Sequence, residues 1–441
     1  MSSGTVAAPG RRPNPASVGA LALGVAAALV AVAVVWGWHL INAGVPLFLE
    51  APPFAGLWVW GWPPGLWFAA AMAVALVGLW PPTAERFRWS VVLVGAAASS
   101  LAWSVVLAAS QGSAALWAPL ATRFEYLPLA RRVEDPGEFV RTFVDRLPRY
   151  PTHVKGHPPG AVLAFWGLDR IGSSDAAVAA VVLVVAASAA PAALIAIDRL
   201  AGRAAARRSA VFVGLAPAVI WIATSADALV MGVAAWTVAL GAVAATSTRG
   251  RAAVVGAGAG AGVLAGALLT LTYGAPTLLG PLWAVAGLTA WRRRWPPLVA
   301  MAAGTALLPA ALALAGFDWV DGLDATRTAY LDGVAPGRPV SYFVVANLAA
   351  LVVAVGPAAV VGAAWLRDRM VWLLVGGALA GVVAADLSGL SKGEVERIWL
   401  PLMPFIIVAT CSIRGRAARR WWLAAQLGVA ILLQAWLRSP W

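Results

Sequence analysis

The chain is short of charge. Of its 441 residues only 12% are Asp, Glu, Lys or Arg, where soluble domains carry about a quarter. That shortage excludes a soluble enzyme. Acids are scarcer than bases, 19 against 32, which leaves a net charge of +13. The basic residues are scattered between apolar runs and form no stripe, which excludes a nucleic-acid binder. The hydrophobicity of the runs excludes a disordered chain. A single cysteine, Cys411, excludes a disulfide framework and a thiolate metal cluster. There are only three histidines, His39, His153 and His157, so their placement carries weight. The first apolar run follows Arg11 and Arg12 and lacks a small-residue cleavage site. It reads as a retained helix rather than a removed signal peptide.

What is abundant is apolar surface: 61% hydrophobic residues and a mean hydropathy of +0.81. The chain reads as an all-α, polytopic transmembrane bundle of about 13 spans (11–13). They run near 17–38, 64–80, 89–110, 175–197, 209–224, 227–246, 252–273, 276–290, 297–316, 342–365, 371–389, 398–413 and 421–437. Most reach the ~17–20 apolar residues that cross a hydrocarbon core, while 209–224, 276–290 and 398–413 are short. Backbone groups find no water in lipid, so these runs are expected to be helices. Tryptophans near span ends, such as Trp36, Trp58, Trp60, Trp421 and Trp422, read as interfacial belts.

The charges orient the bundle. With the N-terminus inside, alternate connections collect 19 arginines and only the acids Glu85, Asp198 and Asp368, a balance of +16. The opposite connections hold 13 cations and 16 acids, a balance of −3. Short inner loops rich in arginine are what the positive-inside rule requires. The expected organisation is a cytoplasmic tail, 1–16, and one transmembrane domain, 17–441, in the plasma membrane. Its outer loops are 111–174, 317–341 and 386–398.

These outer loops hold nearly all the chemically useful side chains. The longest contains Phe124-Glu125-Tyr126-Leu127, a mixed-charge stretch over 131–149, and Tyr150-Pro151-Thr152-His153-Val154-Lys155-Gly156-His157-Pro158-Pro159-Gly160. It ends in an apolar run, 161–171, too short to span and expected to be interfacial or re-entrant. Loops longer than about 12–15 residues are commonly functional. Several features have simple structural readings. The charges of 131–149 suit the wet face of a surface helix. Asp175 and Asp227 begin spans, where acids serve as caps. His153 and His157 stand four apart, as metal ligands on a helix do. Pro151, Gly156 and Pro158 oppose a helix there, however, so no metal is expected. The alternating Gly/Ala run 256–262 has the composition of a phosphate loop, but it follows no strand and sits mid-span, so it predicts close helix packing.

The segment Lys392-Gly393-Glu394-Val395-Glu396-Arg397 stands out, with four charges in six residues at the edge of a span. Charges so close to hydrocarbon are costly unless paired or used. Two arrangements fit: Glu394 or Glu396 pairs with Arg397 internally, or Arg397, Lys392, Arg327 and Arg338 converge on a lipid phosphate. Carboxylates and cations above an apolar groove suit sugar transfer from a polyprenyl phosphate to a hydroxyl. A base takes the acceptor proton, the sugar carbon passes through an oxocarbenium-like state, and cations stabilise the departing phosphate.

On these residues the chain resembles polytopic glycosyltransferases of the GT-C superfamily, in particular actinobacterial membrane proteins of that type. The resemblance rests on Glu125-Tyr126-Leu127, on the segment His153 to Gly160, on Thr272-Tyr273-Gly274, and on Ser391-Lys392-Gly393-Glu394-Val395-Glu396-Arg397-Ile398-Trp399-Leu400. It covers about 110–410. It implies inverting transfer from a polyprenyl-phosphate sugar, here to a cell-envelope glycan or glycolipid at the extracytoplasmic face. No cofactor beyond the lipid-linked donor is expected, and the sequence leaves a divalent-metal requirement open. Glu125 best matches the acidic base of that family. Members commonly place this acid in the first outer loop, which makes Glu50 the second candidate. Tyr126, His153 and His157 are then expected to contact acceptor or donor sugar, and Tyr273 to line the groove. Arg397 and Lys392, with Arg327 and Arg338, would hold the donor phosphate, oriented by Glu394 or Glu396. The competing reading is a transporter or lipid flippase, which would place ionisable residues or broken helices near the midplane.

Overall fold

The computed structural model describes residues 14–223 and 225–440. Arg11, Arg12 and most of the expected tail lie outside them. The protein is a bundle of helices with one short two-stranded pairing. Ten helical segments among the described residues are long and apolar enough to cross a membrane: 16–42, 66–86, 89–109, 175–201, 226–246, 251–271, 295–314, 340–365, 369–387 and 395–412. It is a multi-pass membrane protein.

Three of the thirteen expected spans are not among these ten. Segment 209–224 is not a helix across the bundle. The helix Arg203–Ser209 ends, turns follow, and a 3-10 turn covers Pro217–Trp221. Its apolar residues, such as Val211, Phe212 and Leu215, are buried inside protein. A side chain packed against its own chain needs the same apolarity as one facing lipid, which is why the sequence could not separate the two. Its irregular backbone is served locally: Trp80 Nε1 donates to the Ala210 carbonyl at 2.8 Å, and Ser209 Oγ donates to Val408 O at 2.9 Å. Segment 276–290 is divided into Ala275–Leu278 and Gly280–Trp291. The longer piece has 12 residues, about 18 Å, short of the ~30 Å core. Segment 421–437 begins earlier, as the helix Arg416–Trp436. Its first turns carry arginine, and Arg416 pairs with Glu85 at 2.7 Å, with Arg419 on the same carboxylate.

Glycine sets one of the tightest helix contacts. The helix Arg251–Leu271 packs along Trp295–Leu314. A Cβ on Gly262 would lie 2.1 Å from the Met301 carbonyl oxygen, and one on Gly304 2.6 Å from Ala259 O. The alternating Gly/Ala run therefore lets two backbones touch, as small residues do between membrane helices.

The helix Val340–Trp365 is interrupted at Gly356, whose φ of 79° with the following Pro357 breaks the ladder. Pro357 has no N–H to give. Gln426, from the helix Arg416–Trp436, fills the gap: its Oε1 accepts from Ala358 N at 3.0 Å and its Nε2 donates to Val355 O at 2.7 Å. Freed backbone groups away from water must be re-bonded in this way.

The arginine-rich connections gather at one end of the bundle, where Arg207 donates to Ala84 O at 2.7 Å and Arg294 to Ser247 O at 2.8 Å. The connections 43–65, 111–174, 315–339 and 388–394 gather at the other. There Leu57–Trp58 pairs antiparallel with Leu437–Arg438. The long connection is folded into short helices: Tyr126–Ala130, Pro136–Arg141, Phe143–Arg146, Thr152–Lys155 and Pro159–Ile171. The single surface helix expected over 131–149 is thus two short helices and a 3-10 turn. Pro136 starts one and Thr142 separates them.

Candidate functional site

Four segments distant in sequence meet at this second end. The one-turn helix Thr152–Lys155 forms despite its neighbouring Pro151 and Gly156: Pro is suited to the start of a helix and Gly to its stop. His157 then stands just before the helix Pro159–Ile171. Gly160 allows that helix to approach the end of Arg251–Leu271, since a Cβ would lie 2.4 Å from Thr270 O. The Pro-Pro-Gly sequence is therefore a mounting for His157.

Glu125 is buried at 7% exposure. Its Oε1 accepts from His153 Nδ1 at 2.8 Å, and Arg397 Nη2 lies 3.3 Å from His153 Nε2. A guanidinium only donates, so Nε2 accepts and the ring proton sits on Nδ1. His153 is thus held between a carboxylate and a cation. Arg397 Nη1 donates to Asp227 Oδ2 at 2.5 Å and its Nη2 to Glu394 Oε2 at 2.7 Å. The other oxygen of Glu125 is buried with no hydrogen-bond partner among the described residues.

Asp227 was expected to cap its helix. The cap is Ser225, whose Oγ accepts from Ala228 N at 3.3 Å. Asp227, left over from capping, turns to Arg397. Asp175 behaves likewise: Ser174 caps, and Asp175 pairs with Arg131 at 2.7 Å. Glu394 is held in the left-handed region at φ 61°, after Gly393 at φ 89°. Such a backbone costs roughly 1–3 kcal/mol for a residue other than glycine. Asn347 fixes the turn. Its Nδ2 donates to Asp386 Oδ1 at 2.8 Å and Ser391 O at 2.7 Å, and its Oδ1 accepts from Gly393 N at 3.2 Å.

Beside this cluster lies a cavity of about 540 Å³. Asp227, Arg397, His157, Lys155 and Arg327 reach it, with Tyr273 and Tyr330. Val230, Leu278, Leu390 and Ile398 supply apolar wall. Burial raises the Tyr273 and Tyr330 phenols above their ordinary range, so both are protonated at neutral pH. The helix Trp319–Leu331 covers one side. It is tied down by Trp319 Nε1 donating to Leu269 O at 2.8 Å and Thr326 Oγ1 donating to Lys155 O at 2.7 Å.

His157 is held on its inner edge. Its Nδ1 lies 2.8 Å from both the His153 carbonyl oxygen and the Tyr126 hydroxyl. Tyr126, 3% exposed, stacks on Phe165 at 5.5 Å. Burial pushes the His157 imidazole below its usual range and the Tyr126 phenol above its own.

Of the expected site residues, Glu125, Tyr126, His153, His157, Glu394 and Arg397 come together, and Arg327 and Tyr273 reach the same cavity. Neither Glu125 nor Tyr126 is on the cavity wall: Glu125 stands behind His153, and Tyr126 behind His157. Four others do not join. Lys392 Nζ donates to Ala335 O at 2.8 Å, and Arg338 donates to Leu47 O at 3.1 Å and Lys392 O at 2.5 Å. Both cations tie connections together and do not converge with Arg397. Glu396 is fully buried and accepts from Ala55 N at 3.0 Å, so it anchors the first connection and does not orient Arg397. Glu50 is exposed in that connection. The residues missed at first are Asp227 and Lys155. A cap already present at Ser225 was the signal that Asp227 is spare. Among the described residues no group of three or more His, Cys, Asp or Glu side chains is arranged to hold a metal ion. Comparison with models of known protein families and with curated proteins finds no match to this chain.

Proposed function

We propose that the chain is a membrane glycosyltransferase. It moves a sugar from a polyprenyl-phosphate donor to a hydroxyl of a cell-envelope glycan or glycolipid, at the extracytoplasmic face of the plasma membrane. The observation that carries this is the composition of the cavity. Lys155 and Arg327 reach it with no ion pair among the described residues, beside a paired carboxylate, a histidine and an apolar wall. A phosphodiester donor carries one negative charge. When the bond from the anomeric carbon to the phosphate oxygen breaks, the leaving phosphate keeps the electron pair and its charge rises. Cations fixed at that oxygen lower the barrier. Lys155 and Arg327 suit this role better than Arg397, whose Nη1 and Nη2 are already given to Asp227 and Glu394. In this reading Arg397 and His153 fix the carboxylates, and Glu125 acts through His153 rather than on the acceptor.

The test is transfer from polyprenyl-phospho-sugars by the protein in proteoliposomes. The reading expects turnover in the wild type and loss of it in the double variant Lys155→Ala, Arg327→Ala. Unchanged turnover in that variant would overturn the phosphate assignment. Full activity in Glu125→Gln would remove Glu125 from the chemistry altogether.

A transporter or flippase is the second reading. The broken helix at Gly356–Pro357 favours it, since interrupted helices bind substrates in transporters. Here Gln426 takes up the freed groups, and no residue of 355–358 lines the cavity. Movement of the lipid across proteoliposomes without sugar turnover would decide for it.

A further inference from the structure

We infer that His157, through Nε2, is the group that takes the acceptor proton; this rests on the transfer reading above. The ring's inner edge sets its tautomer. A carbonyl oxygen only accepts, so Nδ1 at 2.8 Å from His153 O carries the ring hydrogen. The Tyr126 hydroxyl, at the same distance, shares it. With the proton on Nδ1, Nε2 keeps its lone pair. It has no hydrogen-bond partner among the described residues, and His157 lines the cavity. The imidazole is neutral, of one tautomer, edge-on to Tyr126 (88°), and presents a basic nitrogen where an acceptor hydroxyl fits. A general base needs that combination.

The carboxylates are less suited. Asp227 reaches the cavity, but its Oδ2 already accepts from Arg397 Nη1 at 2.5 Å. Glu125 is behind His153, and Glu394 is bonded to Arg397. In the step itself the acceptor oxygen bonds the anomeric carbon and the carbon–phosphate oxygen bond breaks. The electron pair leaves with the phosphate, and the acceptor proton goes to Nε2. The imidazolium so formed gives this proton to water before the next turnover, which restores the neutral ring. The charged groups facing His157 are Asp227, which favours its cation, and Arg397 and, when charged, His153, which oppose it. Tyr126 faces it as a neutral phenol.

The experiment uses 15N-histidine-labelled full chain in nanodiscs. Three histidines give three imidazoles, assigned with His157→Gln and His39→Gln. At pH 7 His157 is expected to be neutral with the hydrogen on Nδ1. A hydrogen on Nε2, or a protonated ring at pH 7, would overturn the inference whether or not a sugar donor has been found. In the transfer assay His157→Gln is expected to lower kcat by about 10²–10⁴-fold with little change in KM, and to abolish the acid limb of the pH profile. Retention of kcat or of that limb would also overturn it. If the wild type turns over no phospho-sugar, the transfer reading fails, and the His157 tautomer is still decided by the spectrum.

Discussion

Asp227 and Arg397, 170 residues apart, meet in a buried ion pair of 2.5 Å. The contact joins the start of one membrane helix to the start of the last broken span. Glu394 and His153 complete the shell of the arginine. Removing one partner of a buried pair leaves an uncompensated charge, at a cost of about 3–5 kcal/mol. Arg397→Met is therefore expected to melt well below wild type in detergent, measured by thermal scanning. The double variant with Asp227→Leu should recover part of the loss. Equal melting of the single variant would refute the pair as a structural element.

Gly160→Ala and Gly167→Ala test the mounting of His157. Both lie in the helix Pro159–Ile171. A Cβ at 160 meets Thr270 O at 2.4 Å, while one at 167 meets nothing within 4 Å. The first is expected to cost about 1–3 kcal/mol through overpacking and to lower activity. The second should be neutral or stabilise by about 0.4–1 kcal/mol. Melting curves of the two variants side by side check this.

Gln426→Leu removes both hydrogen bonds that mend the break at Gly356–Pro357. Each orphaned backbone group costs roughly 1–3 kcal/mol. The variant should exchange the Ala358 amide faster, read by hydrogen exchange. Protection equal to wild type would show that the break is bonded otherwise.

Acidification should weaken the fold through His157. Burial lowers its proton affinity in the folded state below the unfolded value, near 6.5. Below that pH the unfolded chain binds the proton more readily, so stability falls as pH falls. The melting temperature is expected to drop between pH 7 and 5.5, and His157→Gln should flatten that dependence. A dependence unchanged in the variant would assign the acid sensitivity to another group.

The helices were legible where their length was forced by lipid. Ten of the thirteen expected runs have the length and apolarity of spans. The other three are not continuous apolar helices of that kind: 209–224 is irregular backbone buried in protein, as at Phe212 and Leu215, 276–290 is divided near Leu279, and the helix over 421–437 begins on arginines. The site was half legible. Glu125, His153, His157 and Arg397 stood out because charge is rare, and rarity marks function in such a chain. Lys392 and Arg338 stood out for the same reason and are loop ties, since a long cation can satisfy backbone carbonyls as readily as a phosphate. Asp227 was hidden because first-turn acids are common at helix starts, and nothing local reports a partner 170 residues away.

The small pairing of Leu57–Trp58 with Leu437–Arg438 has a mechanical consequence. It fastens the last helix to the first connection, where Ala55 N donates to Glu396, the neighbour of Arg397. Strand, amide, glutamate and arginine form an unbroken tether from the far end of the polypeptide to the cavity. Loosening that distant seam would slacken the arginine without touching a single residue around it.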